Sequence, residues 1–387
     1  MPISISGVQY SGIWSLAGQA NAKALGTWPE QPAPKLYAWG DNSSGQVGLS
    51  NRTNYSSPKQ VGSLTSWSFI GKVYGSQSAS IKTDGTLWLW GSNAQGALGL
   101  GNTTYYSSPK QVGSLTNWAD IGIGNNGSIA VKTDGTLWSW GRNLYGGLGL
   151  GNTTNYSSPK QVGALTNWSQ ISVGNLFTLA KKTNGTIWSW GINQYGQLGL
   201  GNSGSYTYRS SPVQIGALAT WSSVSTAVYH SFAIKTDGTL WSWGFNNSGQ
   251  LGLGNITNYS SPKQIGALTT WLTVLGGYNF SVAVKTDGTL WSWGKNNVGQ
   301  LGLGNTTNYS SPKQIGSLTT WLYIASGNYS VSSIKTDGTF WSWGKNQFGQ
   351  LGLGNITNYS SPKQVGSLTT WLKVAGGSYT PVAILTI

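Results

Sequence analysis

One histidine, His230, eight carboxylates and no cysteine are the groups with which this 387-residue chain could run acid–base, nucleophilic or metal chemistry. Catalysis of that kind needs a nucleophile, a base and an orienting partner held together, and a metal needs several nitrogen, sulfur or carboxylate ligands. His230 alone builds neither, and it reads as a structural residue. Five of the eight acids, Asp84, Asp134, Asp237, Asp287 and Asp337, occupy one position of a repeated Lys-Thr-Asp-Gly. They fall in separate repeats, so they form no carboxylate pair of the kind that cleaves glycosides. The recurring GQLGLGN lacks the following Lys-Ser/Thr and the helix of a phosphate loop. These absences lead to the expectation of a non-enzymatic protein with no cofactor and no metal.

The chain is rich instead in aromatic rings, with 22 Trp and 19 Tyr. Most of each repeat is nearly identical to its neighbours, but two short segments vary. One follows a Trp-x-Trp-Gly strand and reads DNSS, SNAQ, RNLY, INQY, FNNS, KNNV and KNQF; the other precedes the hairpin and reads GSQS, GNNG, GNLF, AVYH, GGYN, SGNY and GGSY. Both should be loops at the ends of a rigid scaffold, where binding residues collect. Their Tyr, Phe and Asn suit adaptable recognition of sugars or proteins. The candidate binding face is therefore Tyr145, Tyr195, Phe245 and Phe348 from the first segment, with Phe177, Tyr229, Tyr278 and Tyr329 from the second.

The elements that must hold those loops are strands. The glycines closing the Trp-x-Trp-Gly element, Gly40, Gly91, Gly141, Gly191, Gly244, Gly294 and Gly344, recur at intervals of 51, 50, 50, 53, 50 and 50, a period that belongs to propeller blades. In TLWSWG, Trp138 and Trp140 alternate with Leu137 and Ser139, as in a half-buried strand. Asp-Gly before it is a strong hairpin signal, expected to place both turn residues at positive φ, with Asn184-Gly185 as its one variant. The proline of SSPKQ cannot donate to a ladder, so that strand should lie at an outer edge. A Trp then opens the next unit, at Trp67, Trp118, Trp168, Trp221, Trp271, Trp321 and Trp371. Each unit thus supplies about four strands, the content of one blade.

Six hairpin turns serve seven such units. The missing turn would join Val374–Ile387 to Lys35–Gly40, so pairing of those two segments closes a ring of seven and removes free sheet edges. The fold expected is an all-β seven-bladed propeller whose tryptophans fill the wedges between blades. Met1–Pro34 forms an N-terminal arm, with a short helix expected from Leu16 to Leu25. The chain carries a formal net charge of +14. Each hairpin lysine should be partly neutralised by the Asp two residues on, and the lysines of SPK form a basic ring. That ring reads as a solubility feature, with nucleic acid an improbable partner. Asn-x-Ser/Thr triplets such as Asn102-Thr103-Thr104 read as turn chemistry. No membrane insertion and no secretory signal are expected.

The pattern GxxHSxAIKTDGTLWSWGxNxxGQLGLG resembles the repeats of RCC1-like (regulator of chromosome condensation) propellers, most closely from His230 to Gly254. The resemblance implies seven four-stranded blades closed by both termini. The His that such repeats carry stands here only at His230; the other units have Ser78, Gly127, Phe177, Phe280, Ser330 and Thr380. Acids outside the turns are Glu30, Asp41 and Asp120 alone, fewer than a nucleotide-exchange factor should show. The N-terminal SGIWSL…ALGTWP is similar to segments of tailed-bacteriophage structural proteins. That likeness implies a virion component, of the tail, fibre or capsid surface, with the arm bound to other virion proteins and the propeller meeting a host-surface glycan or protein. The alternative is a soluble, cytoplasmic protein-binding or inhibitory module of a bacterium; oligomerisation is compatible with both.

Overall fold

A computed structural model describes residues 33–386. The segment read as an arm, with its expected helix from Leu16 to Leu25, lies outside the described residues except for Ala33 and Pro34. From Pro34 onward the chain forms one compact unit of seven antiparallel sheets.

Blade 3 shows the plan. Trp118–Ile123 pairs with Gly127–Lys132, which pairs with Leu137–Gly141, which pairs with Tyr156–Gln161. Blade 2 runs from Trp67 to Gln111, and blades 4 to 7 open at Trp168, Trp221, Trp271 and Trp321. Blade 1 is composite: Trp371–Ala375 and Val382–Leu385 from one end of the chain continue into Lys35–Gly40 and Tyr55–Thr65 from the other. Its central register pairs Leu36 with Ile384 and Tyr37 with Ala383, which closes the ring as the hairpin count implies. The first strand of every blade borders the axial channel, where Ile121, Ile171, Val224, Val274, Ile324 and Val374 stand at equivalent positions. The SSPKQ strand is outermost, with one edge free, where a missing N–H costs no ladder bond.

The second Trp of each Trp-x-Trp-Gly is fully buried and ties its blade to the one before. Trp140 Nε1 donates to the Ala97 carbonyl at 3.0 Å, and Trp90, Trp190, Trp243, Trp293 and Trp343 repeat the bond at 2.8–3.1 Å. Trp39 completes the set across the closure, donating to Gln350 of blade 7 at 3.0 Å. A large apolar surface and a satisfied donor thus sit in every wedge, so neighbouring blades stabilise one another.

Two local expectations are corrected. The Trp-x-Trp-Gly strand is not half-buried: Leu137, Ser139 and Trp140 are all buried and only Trp138 is partly exposed, because each blade packs against a neighbour on both sides. The hairpin does not put both turn residues at positive φ. Gly135, at φ +76°, carries that conformation alone, with Gly135 N–H to the Lys132 carbonyl and Lys132 N–H to the Thr136 carbonyl. This is the longer hairpin in which a turn ends in a left-handed glycine bulge. Asp134 instead accepts from the Thr136 N–H at 2.9 Å and from its hydroxyl at 2.7 Å, and that hydroxyl accepts from Trp138 Nε1.

The interval of 51 has a structural cause. Trp67 to Gln77 is a step of ten residues where Trp118 to Gly127 is a step of nine. The extra residue lets Lys72 and Val73 leave blade 2 and pair in parallel with Gly122 and Ile123 of blade 3. Tyr74 then spans the channel, its hydroxyl 2.8 Å from the carbonyls of both Thr226 and Gly276, and Lys72 Nζ donates to Thr226 as well.

Candidate binding face

Alternate connections of an antiparallel sheet return to the same end, so both variable segments of every blade emerge on one face of the ring. Around the channel mouth the loops between first and second strands are joined blade to blade by backbone bonds. Asn125 N–H reaches the Asn175 carbonyl, Asn175 reaches Val228, Val228 reaches Gly277, Tyr278 reaches Asn328, and Asn328 reaches Ser378. The outer loops are shaped by a buried asparagine: Asn246 Oδ1 accepts from Leu251 N–H, and its amide donates to Asn255 and Thr257. The expected turn role of the Asn-x-Thr triplets is visible at Asn102, whose side chain accepts from Thr104 N–H at 3.0 Å. Side chains on this collar are therefore held by a rigid backbone.

On it the structure assembles one continuous aromatic arc. Tyr195 lies 4.3 Å from Phe245 and 5.6 Å from Tyr229 between ring centroids. Tyr229 meets Tyr278 edge-on at 5.5 Å, Tyr278 stacks with Tyr329 at 5.5 Å and 25°, and Tyr329 stacks with Tyr379 at 6.4 Å and 23°. Phe348 closes the far end against Tyr379 at 5.3 Å. Six of the eight sequence candidates are thus brought together, and all six keep part of their surface exposed.

The other two stand apart. Phe177 is 1% exposed and belongs to the core cluster of Leu179, Ile187 and Trp221, so it is removed from the face. At its strand-start position the side chain points into the wedge between blades, as Phe280 does. Tyr145 pairs with Tyr208 at 6.0 Å, away from the arc. Sequence reasoning missed Tyr379, although it ends the variable segment GGSY, because the composite blade was read chiefly for its closure.

Electrostatics favour neutral donors beside one cation. Burial, followed by the neighbouring Tyr278 and Tyr195, pushes the Tyr229 hydroxyl up to about 12, and burial raises Tyr329 and Tyr379 as well. These hydroxyls hold their protons throughout the physiological range. Lys345 Nζ stands 5.2 Å from the Tyr329 ring and 5.7 Å from that of Tyr379. On blades 2 and 3 the arc does not continue: Gln77 Nε2 donates to Asn126 Oδ1 at 2.6 Å, and Tyr145 turns to Tyr208 instead.

His230 is fully buried, with Nε2 3.2 Å from Ser281 Oγ and the ring edge-on to Phe232. Burial first, and Lys72 second, hold its pKa down to about 3. This neutral imidazole is closed off from solvent inside a wedge. In the channel, burial lowers Lys72 to about 7 and raises Asp120 to about 6. Among the described residues no three His, Cys, Asp or Glu gather as a metal would require, and no helix is long and apolar enough to cross a membrane.

The opposite face carries the hairpins. There Lys132 Nζ lies 3.9 Å from the Trp138 ring and 5.1 Å from that of Trp118, and the other hairpin lysines repeat the arrangement. The expected partial neutralisation by the turn Asp is present beside this stacking: the Thr136 hydrogen bonds first, and Lys132 after them, lower the Asp134 pKa. Burial lowers the Lys132 pKa, and Asp134 offsets that only in part. The SPK lysines are exposed on the outermost strands, each within 5.4–5.8 Å of a tyrosine ring of the same strand.

The family model described as RCC1-like domain matches residues 35–383. The X-linked retinitis pigmentosa GTPase regulator of Canis lupus familiaris is 35% identical over 88 residues, which are 22% of this chain and 9% of that protein. The secretion-regulating guanine nucleotide exchange factor of Bos taurus is 37% identical over 73 residues, 18% of this chain and 16% of that protein. The matched stretches thus span under a fifth of either relative's length. Among solved structures, Prp20p of Saccharomyces cerevisiae superposes with a TM-score of 0.82 at 20% identity, covering 92% of each chain. Human WBSCR16 superposes at 0.80 and 21% identity, covering 91% of this chain and 99% of that one. At such identities the likeness is one of fold.

Proposed function

The chain belongs to the RCC1-like domain family, and from that premise we propose that it is a non-enzymatic recognition module whose ligand seats on the aromatic arc. The observation that carries this reading is the arc itself: seven rings in mutual contact across blades 4, 5, 6, 7 and 1, on a hydrogen-bonded collar. Rings held in advance lose little side-chain entropy on binding, and Tyr offers an apolar plane with a donor at its rim. Function on such a fold must come from the site, and within this family yeast Prp20p has binding properties toward Gsp1p and histones, so protein partners are in keeping with the scaffold.

The ligand is a glycan or protein surface that accepts hydrogen bonds and stacks on rings. The finer reading keeps the virion role, with the N-terminal segment as attachment arm; its support is the likeness of SGIWSL…ALGTWP to phage structural segments. Glycan and protein arrays probed with the full chain test the first part: the variant Tyr278→Ala/Tyr329→Ala/Tyr379→Ala should lose at least about tenfold in affinity, equal to about 1.4 kcal/mol. Unchanged binding would remove the arc as the site. Mass spectrometry of purified phage particles from the source tests the second, and absence of the chain from them removes the virion role.

A further inference from the structure

The grooves between blades on the hairpin face carry a second kind of site. Each Trp that opens a blade is buried, yet the indole nitrogens of Trp118, Trp168, Trp221, Trp271, Trp321 and Trp371 have no hydrogen-bond partner among the described residues. A buried donor without an acceptor destabilises the fold, and here it recurs six times. Trp67 is the exception, since its Nε1 donates to the Leu64 carbonyl at 3.0 Å. Leu64 also packs its side chain into the core cluster of Trp67 and Trp90. The six leucines equivalent to Leu64 are instead 43–51% exposed: Leu115, Leu165, Leu218, Leu268, Leu318 and Leu368.

The difference follows from the chain break. In six units the loop before the Trp is pinned to the hairpin glycine of the preceding blade. Trp321 N–H donates to the Gly288 carbonyl, and a Cβ on Gly288 would stand 2.1 Å from the Thr319 carbonyl, so the loop lies flat on that turn. Blade 1 has no such hairpin, and its outer strand runs on from Tyr55 to Thr65, which lets Leu64 fold inward. The pinned loops cannot do the same, and grooves of ≈380 to ≈420 Å³ stay open between blades 6 and 7, 4 and 5, and 7 and 1. Around Trp321 the walls are Leu303, Ile315, Leu318, Trp341, Pro362 and Lys335. The indole nitrogen has no solvent contact, so an occupant reaches it by displacing part of the groove wall.

We propose that the grooves at the six unpartnered indoles dock extended, leucine-bearing acidic segments of a partner polypeptide, seated as Leu64 is seated on Trp67. The leucine fills the apolar groove and the backbone carbonyl accepts from the indole. The acid follows from charge: a lysine stands over the opening Trp in five of the six grooves, and the protein carries +14. Six like sites around one ring suit a partner that repeats the segment, since linked weak sites gain by effective concentration.

The probe is the acetylated and amidated hexapeptide Val-Gly-Ser-Leu-Thr-Ser, the sequence of residues 61–66, together with an analogue bearing Asp at both Ser positions. Indole N–H resonances of the full chain labelled with ¹⁵N-tryptophan are followed as millimolar peptide is added, with single Trp→Phe variants giving the assignments. The six groove indoles should shift downfield and saturate, Trp67 should stay still, and the acidic analogue should saturate earlier at low salt. No shift in the six, or an equal shift of Trp67 in the unaltered chain, overturns the proposal. Equal titration by a peptide with Ala for Leu overturns it too.

Discussion

The two faces of this ring are built by the same strands, yet one is uniform and the other is not. On the hairpin face every complete unit repeats Lys-Thr-Asp-Gly, with Asn184 for Asp in one, the Thr–Trp hydrogen bond and the lysine over two indoles. On the opposite face the loops differ from blade to blade, and the arc of rings runs over five blades and stops short of the other two. The lesson is that repetition marks where each blade must solve the same packing problem, and divergence marks where a surface is free to meet something else. The composite blade breaks both patterns: it lacks the hairpin on one face and supplies Tyr379 to the arc on the other.

The largest expected effect is on the closure that both faces share. Deleting residues 382–387 leaves Lys35–Gly40 and Trp371–Ala375 with unpaired edges, and the chain should fail to give one cooperative thermal transition by circular dichroism. A sharp unaltered transition would mean that the ring does not depend on its terminal strands. Next comes the wedge: Trp343→Ala, which removes a fully buried indole and its bond to Gln300, should cost about 3–5 kcal/mol in denaturant unfolding. Then the turn: Gly135→Ala must hold φ +76° with its Cβ 2.2 Å from the Thr166 carbonyl, and should cost more than about 1 kcal/mol. The arc variant named above should cost less stability than either while losing its ligand, which separates recognition from packing.

The last effect concerns pH. His230 has a folded pKa of about 3 against an ordinary 6.5, so between those values the unfolded chain binds a proton that the folded one refuses. Stability should therefore fall as pH drops from 6.5 toward 3. The turn aspartates, lowered chiefly by their Thr hydrogen bonds, act in the same direction below 3.8. Asp120, raised to about 6 by burial, acts oppositely between 3.8 and 6. His230→Phe, which places at this position the residue that Phe177 and Phe280 supply in neighbouring blades, should keep the fold and flatten the acid slope of urea midpoints. An unchanged slope would assign the acid response to the carboxylates.

Much of this architecture is legible in the sequence because repetition averages out local ambiguity. Seven copies of a Trp-flanked strand and six turns leave few topologies, and the proline of SSPKQ identifies the outer edge. What stays illegible is set by tertiary context. Phe177 and Tyr229 are neighbours in the variable pattern, yet one residue of offset turns Phe177 into a wedge and leaves Tyr229 on the surface. The seat of a hairpin lysine such as Lys132 takes a Trp from each neighbouring strand as well as the Asp two residues on, and only the Asp is adjacent in sequence. The channel crossing by Tyr74 is written in the sequence as one extra residue between Trp67 and Gln77, a signal too short to interpret without the neighbouring blade it pairs with.

The most direct measurement is a side-by-side binding isotherm of one array-identified ligand against three proteins: the unaltered chain, the arc variant Tyr278→Ala/Tyr329→Ala/Tyr379→Ala, and the hairpin-face variant Trp321→Phe. The account predicts a loss of at least about tenfold in the arc variant and none in Trp321→Phe. Full affinity in the arc variant, with loss confined to Trp321→Phe, would contradict it.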